Sequence, residues 1–243
     1  MLSDLMGAGI LMAYYLVICV SLPTLLKHRL NMPTELARKM QHVAYSFSIF
    51  ILLNLFSAWY MAVGAAFLLV LLAYPALLLI ERSSFYIRFF VDRNTRGGEL
   101  RKQLIYVQLS FAILIFIYWG VLGTRWHYIV AVAVMAWGFG DAAAALVGKA
   151  FGRHRVIHKY IEKAKTYEGT GAMILVAGIA LFFTLLCYAG KPWYLSLLVA
   201  FIVAPVCGVV ELFSRRGTDT LTVPLSAAAL LMPLIYLLSF LGW

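Results

Sequence analysis

Eight apolar runs divide the chain, at about 6–26, 43–60, 62–80, 103–122, 127–148, 170–189, 193–213 and 222–241. A helix rising 1.5 Å per residue needs about 20 apolar residues to cross roughly 30 Å of hydrocarbon, and most of the runs are close to that length. Each therefore predicts a membrane span. Together they predict an all-α polytopic transmembrane helical bundle of about eight spans. The second and third runs merge around Trp59 and Tyr60, where the pattern marks their boundary least clearly. Pro75, Pro205 and Pro233 fall inside apolar runs and predict a kink or a break in the helices that carry them. No internal repeat, low-complexity tract or linker interrupts residues 1–243, so one integral membrane domain is expected.

The polar connections alternate in length and charge. Those at 27–41, 81–102, 149–169 and 214–221 are long and basic, whereas those near 61, 123–126 and 190–192 are short. Of the 20 Lys and Arg residues, only Arg125 and Lys191 fall on the second set. Basic loops stay on the cytoplasmic side of a membrane. The split thus predicts that the four long connections are cytoplasmic and that both termini are non-cytoplasmic.

Composition agrees with the pattern. Hydrophobic residues make up 64% of the 243, charged residues 12%, and mean hydropathy is +0.91, values that exclude an ordinary water-soluble domain. The net charge of +10 is explained by topology, and no nucleic-acid partner is expected. Cys19, Cys187 and Cys207 lie in apolar runs, with neither a zinc-site nor a disulfide spacing. Asp4 is the sole early charge and no basic segment precedes the first run, so a retained span is expected there rather than a cleaved signal.

Chemistry concentrates on the basic side. Asp141 lies within the fifth run, some seven residues before its end, where a carboxylate is costly unless it meets a cation, a polar cavity or a hydrogen-bonding neighbour. Ala144, Gly148 and Gly152 follow at intervals of four and share one helical face. Such a face permits close approach by another helix or by a ligand, and spacing alone favours the helix. The next connection carries Arg153, His154, Arg155, His158, Lys159, Lys163 and Lys165, and ends in Lys165-Thr166-Tyr167-Glu168-Gly169-Thr170. Cations of this density suit a polyphosphate. Thr and Gly at a helix entrance leave backbone N–H groups available to anionic oxygen. Further clusters share this side: Arg38, Lys39 and His42 before the second run, Arg96-Gly-Gly-Glu99, Glu211 four residues before Arg215, and Asp219 opening the last run. Their common side is the pattern of one active site.

The order Asp141-x-x-Ala144-x-x-x-Gly148-x-x-x-Gly152, then Lys163-x-Lys165-Thr166-x-Glu168-Gly169-Thr170, resembles the CTP-binding signature of the polyprenol kinase family, which includes dolichol, phytol and CTP-dependent diacylglycerol kinases. Arg38-Lys39-x-x-His42 resembles that family's N-terminal basic motif, and Glu211 with Asp219-Thr-Leu-Thr-Val-Pro224 its C-terminal acidic one. The chain departs from the family in having Thr220 where Asn is common, and in the basic segment between Gly152 and Lys163. The central block is also similar to that of CTP:phosphatidate cytidylyltransferase, whose C-terminal Lys-Asp and His-Gly-Gly pattern is missing from 214–224.

The resemblance implies an integral membrane enzyme, with its active site facing the cytoplasm, that transfers the γ-phosphoryl of CTP to a membrane lipid alcohol such as an isoprenoid alcohol or diacylglycerol. Mg²⁺ would accompany the nucleotide, and Asp141 and Glu168 would either hold it or accept the alcohol's proton. Lys165, Lys163 and Arg153 would hold phosphates, beside Gly148, Gly152, Thr166, Gly169 and Thr170, with Arg38, Lys39, His42, Glu211 and Asp219 in support. The alternatives are a cytidylyltransferase acting on a lipid phosphate and, from another class, a transporter. Repeated halves and midplane charges, the marks of many transporters, are not evident in the sequence. An oligomer is compatible with the sequence.

The charge asymmetry gives a direct test of orientation. A reporter fused after Trp243 should lie on the non-cytoplasmic side, and Lys159→Cys should be labelled by an impermeant thiol reagent only from the cytoplasm. A cytoplasmic C-terminus would mean that the number of spans is odd.

Overall fold

The computed structural model describes residues 2–22, 25–81, 83, 86, 98–215 and 217–240. Among the described residues eight long helices follow one another: α1 (Leu2–Leu16), α2 (Thr34–Asn54), α3 (Trp59–Ile80), α4 (Glu99–Ile115), α5 (Tyr128–Phe151), α6 (Tyr167–Phe183), α7 (Trp193–Phe213) and α8 (Asp219–Phe240). Wider π turns extend α1 at Val17–Ser21, α4 at Phe116–Val121 and α6 at Thr184–Tyr188. Among the described residues there is no strand, and a single isolated bridge pairs Arg155 with Thr166. The all-α bundle expected from the apolar runs is the observed architecture.

Seven of these helices are long and apolar enough to cross a membrane. The eighth, α2, differs from its predicted span of 43–60 at both ends. It starts at Thr34, so Glu35, Arg38, Lys39 and Gln41 ride on its first two turns instead of in a connection. It stops at Asn54, and the chain turns over 55–58 before Trp59 opens α3, which places the break ahead of Trp59–Tyr60. A buried carboxylate fixes this turn. Asp4 Oδ1 accepts hydrogen bonds from the Ser57 backbone N–H (2.8 Å) and hydroxyl (2.7 Å). Gly7, one turn along α1, makes room for the same segment: a Cβ there would sit 3.1 Å from the Leu55 carbonyl oxygen.

The prolines do not break their helices. Pro75 lies inside α3, Pro205 inside α7, and Pro224 and Pro233 inside α8, each of which runs on past them. In a helical bundle, neighbouring helices and local turn adjustments can satisfy the carbonyls that proline frees.

The chain forms two compact units, Met1–Phe116 and Ile117–Trp243. In the first, α3 packs chiefly on α4 and α1 on α2. Polar side chains tie it together inside: Tyr15 OH meets Ser48 Oγ at 3.0 Å, Gln41 donates to Tyr45 OH at 3.0 Å, and Gln108 reaches Tyr15 OH. In the second, the main contacts run α5–α6, α6–α7, α7–α8 and α8–α5, a closed four-helix ring. Residues 129–137 of α5 are all buried, as befits a helix that is apolar on every side. Outward-facing Leu71, Leu79, Leu175, Phe201 and Leu237 are exposed, the surface expected where the solvent is lipid.

Asp4→Ala should lower the thermal unfolding midpoint of the detergent-solubilised protein, because it removes the acceptor of both Ser57 hydrogen bonds. Asp4→Asn, which keeps an acceptor oxygen, should lose less. Thermal unfolding midpoints of the two variants would check this, and equal midpoints with the parent would remove Asp4 as the pin of the 55–58 turn.

Candidate active site

Residues 152–166 join α5 to α6 as a pinned hairpin rather than a loose loop. Tyr167 N–H donates to the His154 carbonyl and Val156 N–H to the Lys165 carbonyl, both at 3.0 Å, flanking the Arg155–Thr166 bridge. Further in, Ile161 N–H donates to the His158 carbonyl (3.2 Å) and Lys165 N–H to the Glu162 carbonyl (3.0 Å). Val156 and Ile161 turn inward and are buried. Backbone pairing and two apolar anchors therefore fix where the basic side chains stand.

The hairpin delivers Thr166 to the N-cap of α6. Its extended backbone and hydroxyl do what an N-cap residue does: Oγ1 accepts the Gly169 N–H at 3.1 Å. Glu168, in the first turn, reaches back over the hairpin. Its carboxylate accepts from the His154 backbone N–H (3.1 and 3.3 Å) and pairs with His154 Nδ1 at 2.7 Å. Position in the first turn also suits its negative charge to the helix dipole.

Three glycines let α5 and α6 touch at their backbones. A Cβ on Gly152 would run into the Gly148 carbonyl oxygen one turn back in the chain and lie 2.7 Å from Thr166 Cγ2, and one on Gly148 would lie 3.1 Å from Thr166 Oγ1. On Gly169 it would lie 2.9 Å from the Ala144 carbonyl oxygen and 3.3 Å from Gly148 Cα. The face of Ala144, Gly148 and Gly152 thus receives Thr166 and Gly169, the helix-packing use that its spacing favours. Deeper in the bundle, Gly140 continues the approach against Met173 and Ala177. Asp141 is 5% exposed. Its spacing of three and seven residues from Ala144 and Gly148 puts it on the face of α5 that meets α6.

Two cationic arms fasten the hairpin to the end of α7. Lys165 Nζ forms an ion pair with the Glu211 carboxylate and donates to the Glu211 backbone carbonyl at 2.9 Å. That carbonyl belongs to the last turn of α7, where it also accepts the Ser214 backbone N–H at 3.1 Å and where the helix dipole favours a cation. Both side chains are largely buried, Lys165 at 18% and Glu211 at 5% exposure. Arg215 forms the second arm. Its Nε donates to the Tyr160 carbonyl and its Nη2 to the Lys159 carbonyl, both at 2.8 Å. Asp219 opens α8 just beyond.

The structure therefore brings Gly148, Gly152, Thr166 and Gly169 into contact, pairs Lys165 with Glu211, and pairs Glu168 with His154. Thr170 follows in the first turns of α6, its hydroxyl donating to the Thr166 carbonyl at 3.2 Å. Arg153 and Lys163 are exposed on the hairpin, and neither side chain enters an ion pair among the described residues. Arg38, Lys39 and His42 belong to the first unit. There Arg38 bridges Glu35 (3.0 Å) and Glu99 (3.3 Å), Lys39 is buried, and His42 Nδ1 meets Gln103 Nε2 at 2.7 Å. Arg96 and Gly97 lie outside the described residues. His154 and Arg215 are the site's two additions to the residues singled out as candidate ligands. Fourteen residues separate His154 from Glu168, and only the hairpin's pairing makes them neighbours.

Among the described residues, no three His, Cys, Asp or Glu side chains gather where they could hold a metal ion by themselves. A nucleotide-borne Mg²⁺ needs less, commonly one or two carboxylates with the phosphates and waters completing the shell. Asp141 and Glu168 are oxygen donors of the right kind for that arrangement.

Over 221 residues, 90% of this chain and 87% of the other, the protein is 32% identical to a phytol kinase of Synechocystis sp. (strain ATCC 27184 / PCC 6803 / Kazusa). No family model and no solved structure matches the chain.

The glycine contacts predict opposite outcomes for two similar changes. Gly152→Ala should destabilise the protein by about 1–3 kcal/mol, the usual cost of forcing an extra carbon into packed surroundings. A Cβ at Gly171 meets nothing within 4 Å, so Gly171→Ala should be neutral or stabilising by up to about 1 kcal/mol. Unfolding midpoints in detergent would check both, and equal behaviour would mean that the surroundings of Gly152, the Gly148 carbonyl and Thr166 together, are looser than described.

Proposed function

Because the chain belongs to the phytol kinase family, we propose that it is an integral membrane lipid-alcohol kinase that transfers the γ-phosphoryl group of CTP to a membrane-embedded alcohol of the phytol or polyprenol type. The observation that carries this reading is the likeness to a phytol kinase across nine-tenths of the chain. Support for CTP comes from the resemblance of the Asp141–Thr170 block to a CTP-binding signature. We place the reaction on the cytoplasmic side, following the distribution of Lys and Arg.

In this reading Arg153 and Lys163, exposed on a fixed hairpin, contact the phosphates. Thr166, Gly169 and Thr170 offer polar groups at the entrance of α6. Lys165 is already compensated by Glu211, so its ammonium would be shared between that carboxylate and a phosphate, holding the hairpin and the nucleotide to the end of α7 together. The alcohol oxygen attacks the γ-phosphorus, the bond from that phosphorus to the β–γ bridging oxygen breaks, and CDP leaves. The alcohol's proton passes to a carboxylate, Asp141 or Glu168. Mg²⁺ on the phosphates would supply charge neutralisation, held by the other carboxylate. Catalysis of this kind depends on alignment and charge stabilisation more than on covalent participation by the protein.

Labelled nucleotide tests the reading. With Mg²⁺ and phytol or a polyprenol, label should enter lipid from the γ-phosphate of CTP and not from its α-phosphate, and CDP should accumulate. Entry from the α-phosphate into a lipid phosphate would replace the kinase with a cytidylyltransferase, and equal transfer from ATP would remove the preference for CTP. Asp141→Asn should lower kcat by about 10²–10⁴-fold, the usual range for a lost acid–base group. Lys163→Ala should chiefly raise KM for CTP. Lys165→Ala is a poorer probe, because it withdraws the ammonium from a buried carboxylate and so mixes folding with binding.

A further inference from the structure

Ile157 is 96% exposed at the tip of the hairpin, an unusual place for a large aliphatic side chain on a fixed backbone. Its exposure is imposed from both sides. Val156 beside it is buried and bonded to Lys165, Ile161 is buried four residues on, and Arg215 holds the carbonyls of Lys159 and Tyr160. Tyr160, three residues on in the same hairpin, is also exposed, with Lys159 Nζ 5.7 Å and the Arg215 guanidinium 5.8 Å from its ring centre. An aliphatic and an aromatic side chain are thus presented among cations on a rigid support.

The level of this tip is marked by its neighbours. The His158 ring meets Phe213, the last residue of α7, edge-on with ring centres 6.1 Å apart. Phe213 is exposed, as are Phe151 at the end of α5 and Tyr167 at the start of α6. Aromatic side chains at the ends of membrane helices mark the headgroup layer. The hairpin therefore lies at the height of the bilayer surface instead of standing clear of it. Arg155 and Lys159 flank Ile157 and are exposed, which gives the tip the charge that attracts anionic headgroups.

We propose that the 152–166 hairpin docks into the bilayer surface, with Ile157 and Tyr160 inserted among the lipid headgroups and Arg155 and Lys159 bound to anionic lipid. A segment combining apolar tip residues with flanking cations has the chemistry of an interfacial anchor. The docked hairpin would hold the end of α5 and the start of α6 at a fixed depth, independently of which nucleotide or alcohol the protein uses.

The test uses the full-length protein in lipid nanodiscs. Ile157→Cys, with the exposed Cys187 replaced by Ser, is labelled with a nitroxide, and the signal of the Cys187→Ser parent is subtracted. Collision rates are measured with oxygen, which concentrates in lipid, and with a water-soluble nickel complex. At position 157 oxygen access should exceed nickel access several-fold, while Lys163→Cys on the same hairpin should show the reverse. Replacing part of the phosphatidylcholine with phosphatidylglycerol should raise the oxygen-to-nickel ratio at 157, and high salt should reverse that rise. Nickel access at 157 equal to that at 163 in both membranes would overturn the proposal. So would shielding of 157 from both reagents, which would mean that protein covers the tip. Insertion that ignores phosphatidylglycerol and salt would overturn its anionic-lipid component.

Discussion

The backbone contact between α5 and α6 is the constraint on which the second unit depends. Gly148 and Gly169 approach so closely that Thr166 fits only as it does, with its hydroxyl turned to cap α6 and its methyl against Gly152. Once Thr166 is set, the hairpin before it has little freedom, because its pairing partner Arg155 lies only four residues beyond the end of α5 at Phe151. Lys165 is then delivered to the end of α7 and Glu168 to His154. The hairpin set by this contact carries Lys165 to an ion pair with Glu211, 46 positions away in sequence.

Charge on this scaffold is arranged in compensated pairs near the helix ends. Lys165 meets both a carboxylate and the electronegative end of α7, and Glu168 sits at the electropositive start of α6. Removing one member of a buried ion pair typically costs about 3–5 kcal/mol, because the other charge stays behind. Arg153, Arg155, Lys159 and Lys163 are different, being exposed on the hairpin. This division separates cations that hold the structure from cations available to something outside it, a distinction that counting basic residues in a loop does not reveal.

Much of the fold was legible because a membrane restricts the choices. Backbone polar groups cannot remain unsatisfied in hydrocarbon, so apolar runs of span length read directly as helices, and α7 matched its predicted limits of 193–213. Ends were harder where polar residues ride on helices. The first turns of α2 looked like a connection because Arg38, Lys39 and Gln41 are polar, although their neighbours Ala37, Tyr45 and Ile49 form a buried stripe. The break at 55–58 depends on Asp4, a residue more than fifty positions away. Of the candidate site, the small-residue face and the capping Thr166 could be read from local spacing. The partners of Lys165 and Glu168 could not, since each comes from another segment.

The composition of α2 bears on the membrane itself. Its uninterrupted stretch without charge or amide, 43–53, is eleven residues long and at 1.5 Å per residue rises about 17 Å. A typical hydrocarbon layer is roughly 30 Å thick, so this segment covers little more than half of it. Arg38 is matched by Glu35 and Glu99, and His42 by Gln103, which lets the polar end of α2 sit deeper than free charges would. A helix with so short an apolar stretch would cross only where the lipid thinned around it, at a cost of fractions of a kcal/mol per Å, and it is not among the seven helices long and apolar enough to span. Were α2 to cross at all, a lipid's polar group alongside it would have a shorter distance to travel between the water surface and the bilayer centre, and membrane thickness would set how that helix sits.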